Sequence, residues 1–147
     1  MRIDGGCHCG RITYEAEINP DDVTICHCTD CQRLSGSAFR TVVPARKEGF
    51  RITGEPKVYV KTAESGNRRV QAFCPECGTP IFATAVTDRR VYSIRLGTAR
   101  QRGELPPRRQ IWTRSALGWV MQAQTISALK TSAAPALTPT DTDRRSR

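Results

Sequence analysis

The residues of this chain best suited to chemistry are its seven cysteines. They fall into three groups: Cys7 and Cys9 as C-x-C, Cys26, Cys28 and Cys31 as C-x-C-x-x-C, and Cys74 and Cys77 as C-x-x-C. Thiolates at such spacings can bite a single ion, and zinc takes four ligands in a tetrahedron. Cys74-Pro75-Glu76-Cys77-Gly78 has the make-up of a tight knuckle whose backbone N–H groups face the sulfurs and damp their charge. A thioredoxin-type redox pair is the rival, and it calls for an amphipathic helix directly afterwards. Thr79-Pro80 and a strand pattern stand there instead.

One C-x-x-C supplies two ligands, and a closed structural site needs four. The simplest arithmetic joins Cys7, Cys9, Cys74 and Cys77 in one closed site. It leaves Cys26, Cys28 and Cys31 as a three-thiolate site with an open fourth position, the layout of a catalytic zinc. Two alternatives stay open: one four-cysteine site beside three idle thiols, or closure of a site by His8 or His27. Each histidine lies between two cysteines, so its side chain should point away from an ion held by both neighbours. His27 suits either a proton shuttle or a hydrogen bond that orients its loop.

The elements that must position these groups are short strands. Residues 11–18 alternate, with Ile12, Tyr14, Ala16 and Ile18 on one face, as in a half-buried antiparallel strand. Residues 23–25 form a short strand leading into the central cysteines, and Thr29 or Asp30 caps a short helix through Leu34. Further strands are expected over 38–43, closed by Pro44, and over 50–53 and 58–60, joined as a hairpin through Gly54-Glu55-Pro56. Residues 69–73, 80–86 and 91–96 complete the set, the last two as a pair. Residues 111–120 hold Trp112 and Trp119, expected to anchor the core, and 122–130 read as a weak terminal helix. The sum is an all-β domain of mainly antiparallel short strands with one or two short helices. It is expected to span residues 1–130, followed by a disordered basic tail over 131–147.

The 147 residues suffice for one domain with a real core. No run of about 18 apolar residues exists, so no membrane span is expected. The odd cysteine count and the lack of an apolar leader disfavour a disulfide framework and point to the cytoplasm. A net charge of +9 favours anionic partners. Nucleic acid is disfavoured, because the basic residues are scattered and aromatics make up only 6% of the chain.

The three cysteine motifs, in this order, carry a resemblance. Gly5-Gly6-Cys7-His8-Cys9-Gly10, Cys26-His27-Cys28-Thr29-Asp30-Cys31-Gln32 and Phe73-Cys74-Pro75-Glu76-Cys77-Gly78-Thr79-Pro80 resemble the motifs of the glutathione-dependent formaldehyde-activating enzymes, whose domain is shared with centromere protein V. Gly97, Ile111-Trp112 and Trp119 are similar to its terminal pattern. The resemblance implies a zinc-bound β-tent fold, with a structural zinc on Cys7, Cys9, Cys74 and Cys77 and a catalytic zinc on Cys26, Cys28 and Cys31. It also implies carbon–sulfur lyase chemistry of the S-(hydroxymethyl)glutathione synthase kind, with glutathione and an aldehyde as partners. A non-catalytic zinc-binding interaction or nucleic-acid-binding module on the same fold is the alternative. Arg33, Arg40 and the loop 100–109 are candidates to hold the carboxylates of glutathione, and Gln32 and Ser35 to hydrogen-bond it. In one departure, Thr98-Ala99-Arg100-Gln101-Arg102 stands where family members often carry an acidic pair.

Overall fold

The computed structural model describes residues 1–63, 65–126 and 128. The chain divides into two units, Met1–Leu117 and Gly118–Arg147. In the second, Gly118–Thr125 forms 3-10 turns, where a helix over 122–130 is expected from the sequence. The tail expected over 131–147 lies outside the described residues.

The first unit is a mostly antiparallel sheet of nine strands among the described residues. They are β1 (Arg2–Gly6), β2 (Thr13–Ile18), β3 (Thr24–Cys26), β4 (Arg40–Thr53), β5 (Lys57–Thr62), β6 (Arg68–Phe73), β7 (Pro80–Ala85), β8 (Val91–Arg95) and β9 (Arg109–Ile111). One short helix, α1 (Thr29–Ser35), follows β3. The main path runs β1-β2-β4-β8-β7-β6-β5, and β3 lies between β4 and β9.

β2 shows the predicted alternation, with Tyr14, Ala16 and Ile18 buried and the residues between them exposed. The β7–β8 pair also forms, through Phe82↔Ile94 and Ala83↔Ser93. Two expectations are corrected. The strands expected over 38–43 and 50–53 are one strand, β4, which runs through Pro44. One edge of β4 bonds β3 up to Val42 and β2 from Ala45. Pro44 falls in the gap between them, where a missing N–H is tolerated. The expected hairpin between residues 50–53 and 58–60 does not form, because β5 pairs along its whole length with β6.

The inner face of the sheet buries Ile3, Tyr14, Val43, Phe50, Phe82 and Ile94, among others. Phe50 stacks on Tyr92 at 4.7 Å between ring centroids, and Phe82 meets both edge-on at 5.5 and 5.1 Å. These contacts join β4, β7 and β8 across the face. Trp112 and Trp119 are not core anchors: they are 41% and 56% exposed. Trp112 takes a left-handed backbone conformation at φ 58°.

Candidate metal centres

Each cysteine motif sits at a strand end, where a turn aims backbone N–H groups inward. Between β1 and β2 the Cys7 N–H donates to Ile12 O at 2.9 Å and the Ile12 N–H to Cys7 Sγ at 3.2 Å. Gly10, at φ 80°, allows that turn. Between β6 and β7 the knuckle is closed by Gly78 N–H to Cys74 O and Cys74 N–H to Thr79 O, both 2.9 Å. Gly78, at φ 72°, fills its left-handed position. Thr79 Oγ1 lies 3.2 Å from Cys77 Sγ and accepts from the His8 N–H at 3.1 Å, which ties the two turns together.

The result is a cluster in which the sulfurs of Cys7, Cys9, Cys74 and Cys77 all lie within 4.8 Å of one another. Cys7 and Cys9 are 3.5 Å apart, and Cys9 and Cys74 3.7 Å. Tetrahedral zinc with Zn–S bonds of about 2.3 Å spaces its sulfurs by about 3.8 Å, so the donor set fits. Four thiols this close cannot ionise alike. The Thr79 hydroxyl, then backbone N–H groups, pull the Cys77 thiol down to about 5. At Cys9 the Arg11 N–H favours the thiolate, but desolvation and the neighbouring sulfurs outweigh it and push the thiol up to about 12. A cation removes that conflict by stabilising every thiolate at once.

The second cluster joins Cys26, Cys28 and Cys31, again within 4.8 Å. Cys26 ends β3 and is buried. Cys28, not Thr29 or Asp30, is the N-cap of α1: its Sγ accepts the Cys31 N–H at 3.3 Å. Gly36, at φ 62°, closes the helix. A hydrogen bond with Cys31 favours the Cys26 thiolate, and the same bond raises the Cys31 thiol. Neither cluster includes His8 or His27. The His27 ring is buried against Phe39, and its Nε2–H donates to the Gln110 amide oxygen at 2.7 Å.

A parallel pairing brings the end of the unit to this cluster. β9 lies beside β3 in the register Cys26↔Ile111, and the His27 N–H donates to Ile111 O at 3.0 Å. Gln32 Nε2 donates to His27 O and to Ser115 O, at 2.7 and 2.8 Å. Ser35 Oγ donates to Cys31 O at 2.7 Å. Both side chains therefore serve the protein's own backbone. Arg33 is exposed. Of the loop 100–109, Arg100 pairs with Asp4 at 2.5 Å, Arg108 with Asp21 at 3.5 Å and Arg109 with Asp22 at 3.2 Å. Gln101 also binds Asp4, and the segment becomes a strut to β1.

Arg40 alone among the sequence candidates is a buried cation at the cluster. It lies opposite Cys26 in the β3–β4 register and is 6% exposed. Sequence reading misses its neighbour Arg95, which lies opposite Val42 on β8 and is 8% exposed. Arg95 Nη2 donates to Gln71 Oε1 at 2.6 Å. Burial, then the charge of Arg40, pulls its guanidinium down to about 9. The available signal was a charged residue set between the apolar Ile94 and Leu96.

A hollow of about 400 Å³ lies elsewhere, lined by residues such as Glu17, Asp22, Pro44 and Val91, and its lining includes no cysteine or histidine. No helix among the described residues is long and apolar enough to cross a membrane.

Fold and site together define a small, mostly antiparallel β-sheet protein with two thiol clusters suited to zinc. Residues 2–115 match the family described as glutathione-dependent formaldehyde-activating enzyme, and the chain belongs to that family. In structure it is similar to a Rhodobacter sphaeroides protein solved as a structural genomics target. The TM-score is 0.56 at 20% identity, over 73% of this chain and 98% of that one. That likeness is one of fold.

Proposed function

We propose that this chain joins the thiol of glutathione to formaldehyde or a related aldehyde, and catalyses the reverse cleavage, as a carbon–sulfur lyase of the S-(hydroxymethyl)glutathione synthase kind. In this reading Cys7, Cys9, Cys74 and Cys77 hold a structural zinc, and Cys26, Cys28 and Cys31 hold a catalytic one. Zinc bound by three thiolates supplies affinity for a fourth sulfur and lowers the pKa of a thiol offered there. The thiol gives up its proton, its sulfur forms a bond to the carbonyl carbon as the C=O π bond breaks and its electron pair moves to oxygen, and that oxygen takes up a proton. Cleavage runs these steps backwards. Gln32 and the Cys28 cap hold α1 in place, while His27, bonded to Gln110, is a positioning residue that fixes the loop between two ligands.

The observation that carries this reading is that Cys26, Cys28 and Cys31 converge without a fourth cysteine or histidine ligand among the described residues. A purely structural site would be closed. The described cysteines are all free thiols, which accords with a reducing, cytoplasmic setting.

The test is calorimetric titration of reduced glutathione into protein whose zinc has been counted. Saturable binding that is lost in Cys31→Ser, with one zinc retained and the fold intact, is the expected result. Full zinc occupancy without binding of any thiol would make the domain a non-catalytic module.

A further inference from the structure

We propose that Arg40 and Arg95 form an anion subsite beside the three-cysteine cluster, which receives a carboxylate of the thiol substrate and selects carboxylate-bearing thiols over neutral ones. The inference rests on the function proposed above and adds the feature of the substrate that is recognised.

The argument starts from register. Cys26 faces Arg40 across β3 and β4, and Val42, two residues on, faces Arg95 across β4 and β8. Cross-strand partners share a face, as do residues two apart, so Cys26, Arg40 and Arg95 lie along one face of the sheet. This face is opposite to the one carrying Val43, Ala45 and Ile94, which belong to the core. Gln71 joins it through its bond to Arg95.

Both arginines are buried residues, 6% and 8% exposed, and each keeps a buried nitrogen without a partner among the described residues: Nη2 of Arg40 and Nε of Arg95. Buried charged donors are costly when unsatisfied, so such pairs persist where something else completes them. No described carboxylate pairs with either. The nearby acid on α1, Asp30, is already taken by Lys61.

Charge counting points the same way. Three thiolates and one divalent ion leave one negative charge. Two guanidiniums bring two positive charges, and half-buried Arg69 adds to the field felt by Arg95. With the metal site loaded the balance is one positive charge; a bound substrate thiolate cancels it, and Arg69 leaves the excess that a carboxylate would meet. A carboxylate fits a guanidinium fork geometrically as well as electrically.

Two small thiols of similar length separate the possibilities: mercaptoacetate, which carries a carboxylate, and 2-mercaptoethanol, which does not. Each is titrated into zinc-loaded protein at physiological salt. Wild type is expected to bind mercaptoacetate about tenfold more tightly or better. Arg95→Gln should bring that ratio close to one with zinc content unchanged, and Arg95→Lys should restore part of it. Arg89→Gln, in the exposed turn between β7 and β8, should leave the ratio as it is, which removes the net charge of the chain as the cause. Arg40→Gln gives a second reading wherever it keeps its zinc. If both thiols bind wild type equally, or the ratio survives in Arg95→Gln, the arginines merely offset thiolate charge and the proposal falls while the thiol-binding function stands. If neither thiol binds, the proposed function falls and takes the subsite with it.

Discussion

At the scale of single residues, the cysteine clusters were legible because their spacing is local: each motif sits on one turn, and a turn is a short-range object. Arg95 and Gln71 were not, because only the register of β4, β8, β7 and β6 brings them to the cysteines. Gln32 shows how a plausible substrate contact becomes a structural bolt. Its amide bonds two backbone carbonyls 83 and 5 residues away in sequence. Gln32→Leu should cost about 1–3 kcal/mol in a urea titration, because it leaves both carbonyls unpaired in a part-buried place. A change of only a few tenths would mean the bolt does not hold in solution. Two glycines make a sharper comparison. A Cβ on Gly5 would lie 2.2 Å from Thr98 O and 2.9 Å from Ala99 Cα, both backbone atoms, whereas one on Gly36 meets open space at φ 62°. Gly36→Ala should cost only the backbone strain, about 1 kcal/mol. Gly5→Ala should cost about 1–3 kcal/mol or more, since β1 must move away from the 98–99 segment. Paired thermal melts check the order.

Among elements, alternation identified β2 well, since a half-buried strand writes its period into the sequence, while β7 and β8 were marked by two strand-like runs joined by the polar turn Thr87-Asp88-Arg89-Arg90. It failed where the partner decides. Gly54-Glu55-Pro56 marks a reversal, but no local signal says that β5 leaves β4 and pairs with β6. β9 left almost no trace, being three exposed residues that join β3 in parallel from far along the chain. The element that organises the rest is β4, which contacts β2, β3 and β8. Phe50 places its ring among Tyr14, Phe82 and Tyr92. Phe50→Ala should therefore destabilise by about 3–5 kcal/mol. The loss should appear in equilibrium unfolding, with zinc content of the folded protein unchanged. A loss below about 1 kcal/mol would show that the aromatic cluster is not the keystone of the sheet.

For the first unit as a whole, strand order and the placement of the sulfurs answer each other. β1 and β6 stand far apart in the path of the sheet, yet the turns that follow them bring their sulfurs together. The sheet therefore curls, and its seam is fastened by side chains where a barrel would use strand pairing. A metal clip there would join residues 65 positions apart, Cys9 to Cys74. By the chain-entropy argument for cross-links, closing a loop of that size is worth roughly 4 kcal/mol. Stripping zinc with a strong chelator should lower the melting temperature markedly and speed amide exchange first in the turns around Cys7 and Cys74. Cys77→Ser should do the same without a chelator. If the stripped protein melted as the loaded one does, the four-cysteine cluster would not be a structural fastener.

The closeness of those sulfurs has a cost in air. At 3.5 Å between Cys7 and Cys9, and 3.7 Å between Cys9 and Cys74, small side-chain rotations bring two sulfurs to bonding distance. Oxidant and ion then compete for the same atoms, and whichever arrives first excludes the other. A chain that meets peroxide before it meets zinc would be sealed in a cross-linked form that no later supply of metal could repair without a reductant. A loaded chain would be shielded from the same exposure, so the timing of metal delivery becomes part of the protein's resistance to oxidative damage.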